Sequence, residues 1–181
     1  SNTSGDRQDS YSSTDNFENQ ASAIDGLSEA NPNPSGFVIN AVRTFVGKNW
    51  QCRDVVLGFD NCCKDSGWGQ KIGIAGCNAE EKKLGQAKEK KLCHYIGEYC
   101  SKKQKITGIC LEHKKSYCCF DSMLSRIIQE QGRAQIGLSF GDPDSADCSG
   151  LTASELQRID FSKIDFSEYY QSLEAQVITP N

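Results

Sequence analysis

The chain has few of the residues that bind soft metals, and it has no long apolar stretch. Its 181 residues include two histidines, His94 and His113, and a single methionine, and no C-x-x-C pair occurs among its cysteines. Structural zinc sites draw their ligands from such close pairs, so we expect neither a metal nor another cofactor. No apolar run approaches the roughly 20 residues that cross a bilayer, and the sequence therefore predicts no membrane-spanning helix.

Cysteine, in contrast, is abundant and confined to the middle of the chain. Ten cysteines lie between positions 52 and 148, and an even, clustered set of this kind predicts disulfide bonds in an oxidising, exported compartment. Two pairs are adjacent, and neighbouring cysteines do not easily bond each other because their side chains diverge. Each member of a pair is therefore expected to reach a different element. The predicted disulfide cysteines are Cys52, Cys62, Cys63, Cys77, Cys93, Cys100, Cys110, Cys118, Cys119 and Cys148.

Composition divides the chain into two parts. Residues 1–36 carry one arginine and six acids with little aliphatic content, so we expect a disordered or extended linker there. Residues 37–181 form the predicted cysteine-rich C-terminal domain. Mean hydropathy is only −0.56, and disulfides at about 2–4 kcal/mol each would compensate for a small core. The polar N-terminus is not a signal peptide, so we expect a mature or cropped fragment of an exported protein.

Local patterns predict a small, disulfide-rich α+β domain with a β-hairpin and short helices. Apolar residues at helical spacing distinguish the predicted helices from strands, in which apolar and polar residues alternate. In chain order the sequence predicts a helix over 37–47, a strand over 50–59, a helix over 79–91 and hairpin strands over 95–100 and 106–111.

Helix-capping signals dominate the second half of the chain. Asp121 or Ser122 is expected to cap a helix that ends at Gly132. Thr152-Ala153-Ser154-Glu155 matches a capping box. The motif Asp160-Phe161-Ser162 recurs directly afterwards, which predicts two successive capped turns, the second of which starts a helix.

The register of the predicted hairpin suggests two disulfides. Centred near position 105, it places Cys100 opposite Cys110 and Cys93 near Tyr117 or Cys118. Both pairings are therefore candidate bridges.

Charge is unevenly distributed along the chain. Residues 80–115 hold ten lysines against five glutamates, while residues 141–181 hold eight acids against two basic residues. These regions either face each other or lie on separate solvated faces, or the lysines form a basic surface for phosphate groups. Base recognition in nucleic acid favours arginine, which 80–115 lacks, so we expect no nucleic-acid partner. The candidate basic surface comprises Lys82, Lys83, Lys88, Lys90, Lys91, Lys102, Lys103 and Lys105.

One enzyme family shares a short motif with the chain. Asp60-Asn61-Cys62-Cys63-Lys64-Asp65-Ser66 resembles the calcium-site and catalytic-helix motif of secreted phospholipases A2. In that family a histidine occupies the position of Ser66 and an aspartate follows it, whereas this chain continues with Gly67. The general base is therefore missing. The two histidines, which the hairpin register makes near neighbours, lack further partners for catalysis or for a metal, and we expect no active site.

Several stretches together resemble one family of bacterial envelope proteins. They are YIGEYCSKK at 95–103, KSYCCFDS at 115–122, LSRIIQEQGR at 124–133 and GLTASELQRIDFSKID at 150–165. From about Cys52 onward the chain resembles the C-terminal region of TraN proteins, the mating-pair stabilisation proteins of F-type bacterial conjugation systems.

The resemblance implies a large, cysteine-rich protein that donor cells export to the outer membrane, where it stabilises contact with a recipient during plasmid DNA transfer. It implies a non-enzymatic structural and interaction domain whose partners are other regions of the parent protein and envelope or recipient-cell proteins. It transfers no catalytic residue to this chain. Two alternatives stay open: a secreted phospholipase A2-like hydrolase, and a lysine-rich domain that contacts a membrane surface.

Overall fold

The computed structural model describes residues 42–54, 62–63 and 76–178, and all of its elements belong to the unit Ile39–Asn181. The predicted linker, residues 1–36, lies outside the described residues, so the domain boundary stays a prediction. The strands are β1 (Lys48–Asp54), β2 (Cys93–Lys103), β3 (Cys110–Cys119), β4 (Gly141–Asp142) and β5 (Ser145–Ala146), and the helices are α1 (Ala79–Glu89), α2 (Met123–Ile136), α3 (Ala153–Gln157) and α4 (Ser167–Ile178). The predicted α+β class with a hairpin and short helices is confirmed.

A three-stranded antiparallel sheet organises the domain, with β3 between β1 and β2. Lys48 of β1 pairs with Cys119 of β3, and Asp54 pairs with His113. The C-terminal half of β3 is buried because it has a strand on both sides and helices packed nearby. The predicted strand over 50–59 begins slightly earlier than expected, and positions 55–59 lie outside the described residues.

The hairpin forms, but its register differs from the predicted one. The second strand begins at Cys110 rather than at Ile106, and β2 and β3 shift register at three places. As a result Cys100 pairs with His113 across the ladder rather than with Cys110. Each extra residue in a bulge moves the pairing along by one position, and alternation of side chains does not reveal where bulges occur.

Five disulfides bond all ten cysteines, and each member of an adjacent pair joins a different element. The predicted Cys100–Cys110 bond is present, whereas Cys93 bonds Cys119 rather than Cys118 because of the shifted register. The bonds are Cys52–Cys63, Cys62–Cys77, Cys93–Cys119, Cys100–Cys110 and Cys118–Cys148.

The segment before β1 is extended where a helix was expected. In the described part of the predicted helix, 42–47, Thr44 forms an antiparallel bridge with Leu151, with N···O distances of 2.9 and 2.7 Å. Phe45 adopts a left-handed φ of 58°, which interrupts any helix. Helical spacing of the apolar residues was misleading here, because a distant strand-like partner takes up the backbone groups.

The capping signals locate the helices well, with one exception. Asn78 and Glu81 form a capping box at the start of α1, and Ser122 caps α2. The prediction that α2 ends at Gly132 is wrong, since the helix continues to Ile136 and is capped by Gly137, whose φ is 70°. Gly132 lies inside the helix, and close packing explains why this position is glycine. A Cβ there would lie 2.7 Å from the side chain of Ile159.

Two glutamines of α2 hold the repeated C-terminal turns. Gln135 accepts a hydrogen bond from the backbone N–H of Asp160 at 2.7 Å and donates one to its carbonyl at 2.9 Å. Gln131 makes the same pair of bonds with Asp165, at 2.7 and 3.0 Å. The two glutamines are one helical turn apart, so neighbouring turns of α2 hold the two copies of the motif. Thr152 caps α3, as its sequence motif predicts.

Apolar side chains form separate small clusters instead of one large core. One cluster joins α1 to the sheet through Leu84, Ala87 and Tyr117 together with buried cysteines. Another joins α2 to the C-terminal turns and includes Ile127 and Leu151. Disulfides and buried polar groups therefore hold much of the domain together.

The two disulfides of longest and shortest span test this view. Replacing Cys118 and Cys148 together with serine is expected to lower the free energy of unfolding more than the same change at Cys100 and Cys110. The sequence separations are 30 and 10 residues, so the loop-entropy contributions differ by about 1 kcal/mol. Urea unfolding followed by circular dichroism measures both variants. A larger loss in the Cys100 and Cys110 variant would contradict this account.

Candidate functional site

The candidate basic surface is distributed over two elements. Five of its lysines lie on α1 or directly after it: Lys82, Lys83, Lys88, Lys90 and Lys91. The other three, Lys102, Lys103 and Lys105, lie at the closed end of the β2–β3 hairpin. Lys88 is half-buried, and its ammonium lies 4.7 Å from the centre of the Tyr117 ring. That the lysines act together as one binding surface stays a prediction.

A buried carboxylate fixes α1 against the sheet. Glu81, only 1% exposed, accepts hydrogen bonds from the Arg53 guanidinium at 2.8 Å and from the backbone N–H groups of Arg53 and Asn78 at 2.9 Å. Burial alone raises the pKa of Glu81, but the hydrogen bonds from Arg53 and Asn78 outweigh it and hold the pKa below its usual value. The exposed lysines of α1 are thereby held on a rigid support.

Arg126 joins three elements around a shallow cleft. Its guanidinium donates to the carbonyl of Lys91 at 2.7 Å, to Glu130 at 3.0 Å and to Glu168 at 2.6 Å. The adjacent cleft of about 330 Å³ is lined by Lys88, Lys91, Cys93, Tyr95, Tyr117, Arg126 and Glu168. Its arginine and glutamate form an ion pair with each other, and its cysteine is bonded in a disulfide.

A second buried arginine holds the irregular segment after α2. Arg133, 1% exposed, donates to Gln129 at 2.7 Å and to the carbonyls of Ser139 and Ser149 at 2.6 and 2.7 Å, and it lies 4.4 Å from the Phe140 ring. Burial lowers the pKa of Arg133, and the nearby carboxylate of Asp147 opposes this effect. The Arg133 side chain therefore satisfies carbonyl groups in this segment that are bonded in a regular sheet or helix by other backbone groups.

The two histidines occupy separate places, and the prediction that they are near neighbours is wrong. His94 pairs across the sheet with Cys118 and His113 with Cys100, because the ladder register is shifted. The Nδ1 atom of each lies 3.1 Å from a glutamate, Glu130 for His94 and Glu98 for His113. Sequence reasoning missed both carboxylates, since β-bulges and tertiary packing bring them into place.

Neither imidazole belongs to a recognisable hydrolytic arrangement. Among residues 42–54, 62–63 and 76–178, no side-chain hydroxyl donates a hydrogen bond to either ring, and every cysteine is bonded. His94 also stacks on Phe140, with ring centres 4.3 Å apart. No cluster of metal-binding side chains occurs in the same described ranges. Of the phospholipase-like motif only Cys62 and Cys63 are described; Ser66 and Gly67 lie outside.

The described part of the chain includes two exposed apolar surfaces that were not expected from the sequence. The first is at the closed end of the hairpin, where Ile106 is 92% exposed. The second is one face of α4 with Tyr170, Leu173, Val177 and Ile178. Such surfaces in a chain with little apolar content are typical of contact sites. No helix in the described part of the chain is both long and apolar enough to cross a membrane.

Comparison with known proteins shows the family of the chain. Residues 3–152 match the family described as F-type Type IV secretion system, TraN. The chain belongs to the TraN family. Over 133 residues it is 50% identical to the mating pair stabilization protein TraN of Escherichia coli (strain K12), an alignment that covers 73% of this chain and 22% of that protein. The chain thus spans about a fifth of that relative's length. No solved structure matches significantly.

Membership of the TraN family confirms the resemblance seen in the sequence. The matched range contains all ten cysteines, and hence every disulfide, as well as the hairpin with its exposed end. The helix α4 lies beyond it. Disulfides persist in oxidising compartments, so the five bonds indicate an exported TraN domain.

The anchor of α1 generates a test that depends on pH. Glu81→Gln is expected to lower the free energy of unfolding at pH 7 by about 2 kcal/mol, because hydrogen bonds to a charged group are lost. Glu81 has a folded-state pKa below its usual 4.5, so its contribution is complete above that value and disappears as the pH falls through the lowered pKa. The difference from wild type should therefore shrink in acid.

Urea unfolding at neutral and acidic pH measures this effect. The matched control is Glu80→Gln, which changes an exposed glutamate next to Glu81 in the same helical turn. It should leave stability nearly unchanged at both pH values. Equal effects of the two substitutions would contradict the assignment of Glu81 as the anchor.

Proposed function

We propose that the chain is the cysteine-rich C-terminal domain of a mating-pair stabilisation protein that supports donor–recipient contact during conjugative plasmid transfer. The observation that carries the proposal is the complete bonding of ten cysteines within the range that matches the TraN family. A relative that is identical to this chain at half of the aligned positions is named a mating pair stabilization protein. The parent protein would place this domain at the outer membrane, in the periplasm or at the cell surface.

The proposed role is structural and non-enzymatic. The bonded cysteines cannot act as nucleophiles, and both histidines face glutamates without a hydroxyl partner in the described residues. The disulfides instead restrict the unfolded chain, which favours a folded state that persists outside the cell without chaperones. A rigid domain of this kind suits the transmission of force between surfaces held by a mating pair.

The partners in this proposal are other regions of the parent protein together with envelope or recipient-cell proteins, and no nucleic acid. One face of α4 is the contact surface for another region of the parent. Tyr170, Leu173 and Val177 lie at spacings of three and four residues and therefore form one stripe on the helix. Val177 is 80% exposed. The curated TraN relative is much longer than this chain, which leaves ample protein to cover the stripe.

Plasmid transfer by donors that carry variants of the full-length parent tests the role of α4. Leu173→Asp combined with Val177→Asp is expected to reduce transfer in liquid at least about tenfold, since burying each side chain contributes about 1.5–3 kcal/mol. Transfer on a solid surface should be affected much less, because the surface holds cells together without a strong mating-pair contact.

The matched control is Gln171→Asp combined with Gln176→Asp, which adds the same charge at exposed polar positions of the same helix. Non-reducing immunoblots of envelope fractions must show equal amounts of every variant. Undiminished transfer in liquid, or the same loss in the control, would refute the role of the α4 stripe. If removing residues 37–181 altogether leaves transfer in liquid intact, the proposed function itself is wrong.

A further inference from the structure

The closed end of the β2–β3 hairpin is an isolated, exposed apolar tip. We call residues 102–111 the finger. Ile106 at its turn is 92% exposed, Ile109 is 61% exposed and Leu111 is 54% exposed. Ile109 and Leu111 lie on either side of Cys110, the first residue of β3. Among the described residues β1 pairs with β3 no farther than His113, so its ladder does not reach the finger.

The finger is held in one shape although it is exposed. The Cys100–Cys110 disulfide joins its two strands where it begins. Across the turn, the N–H of Gln104 donates to the carbonyl of Ile109 at 2.8 Å, and the N–H of Gly108 donates to the carbonyl of Gln104 at 2.9 Å. Gly108 adopts a φ of 72°, which suits glycine. An exposed isoleucine is therefore presented by a rigid support rather than by a mobile loop.

The charged residues within the finger are all lysines. Residues 102–111 contain three lysines and no acid. Lys102 lies 3.3 Å from Glu112 at the start of the finger, whereas Lys103 and Lys105 make no ion pair with any described residue. Lysine carries its charge on a long apolar stem, so the ammonium groups can reach past the apolar tip to an anionic layer.

We infer that the finger inserts Ile106 shallowly into an anionic phospholipid surface while Lys103 and Lys105 contact the headgroups. An apolar tip with lysines next to it matches the layered chemistry of a bilayer, with hydrocarbon beneath phosphate. A stable protein interface uses about 20–30 residues on each side, whereas the finger has few residues and no concave partner surface. This inference is independent of the proposed role of α4 and of the mating assay.

Co-sedimentation of the 181-residue chain with phosphatidylcholine vesicles, prepared with and without phosphatidylglycerol, tests the inference. Binding should require phosphatidylglycerol and weaken as salt shortens the Debye length below its physiological value of about 8 Å. Lys103→Gln combined with Lys105→Gln should lower the partition coefficient about 25-fold, and Ile106→Ser about tenfold.

Two controls match these changes elsewhere in the chain. Lys82→Gln combined with Lys83→Gln removes the same charge from exposed positions of α1, and Val42→Ser removes an exposed aliphatic side chain from the segment before β1. Both should leave vesicle binding within about twofold of wild type. Circular dichroism verifies that every variant is folded.

The outcomes separate the finger from a general basic surface. Loss of binding in the finger variants alone supports the inference. It is overturned if the wild-type chain does not bind vesicles, if binding is the same with and without phosphatidylglycerol, or if the α1 and finger lysine variants lose binding equally. The proposed mating-pair function does not depend on any of these results.

Discussion

Two adjacent cysteines at the end of β3 hold the domain together in two directions. Successive residues of a strand point to opposite faces, so Cys118 and Cys119 leave the sheet on different sides. Cys119 bonds Cys93 of the neighbouring strand, and Cys118 bonds Cys148 in the segment that follows β5. The carbonyl of Cys148 in turn accepts from Gly47 at 2.9 Å, which attaches the segment before β1. Two neighbouring positions in the central strand thus connect the hairpin, the later loop and the segment before β1.

Buried polar groups complete what the disulfides begin. A chain with a mean hydropathy of −0.56 has few apolar residues to spare for irregular segments. Arg133 and Gln129 reach the carbonyls of Phe45, Ser139 and Ser149 from α2, which satisfies backbone groups that no sheet or helix satisfies. Because these contacts are specific in direction, they fix the loops in one arrangement, where apolar contacts alone would tolerate several.

The sequence predicted the local parts of this fold and missed the long-range ones. Caps at Ser122 and Thr152 were found because they depend on residues within one turn. Cysteine clustering predicted a disulfide framework, and the direct Cys100–Cys110 pairing needed only a hairpin. Three predictions were wrong: the helix expected at 37–47, in its described part 42–47, the helix end assigned to Gly132, and the hairpin register. Each depends on a distant partner or a bulge. The exposed finger and the α4 stripe were missed for a related reason, because alternation and helical spacing do not tell whether a face is covered.

The way the domain is stabilised explains how it can expose apolar side chains. In a domain that relies on burial, an isoleucine left almost fully in water forgoes part of the main driving force for folding. Here the Cys100–Cys110 bond closes the hairpin on its own, so the fold does not need Ile106, Ile109 or Leu111 in a core. Selection for folding alone would then favour polar residues at these positions, which would also improve solubility. Aliphatic residues beside Lys103 and Lys105, which form no ion pair with any described residue, are better explained by contact with a surface that is both apolar and anionic.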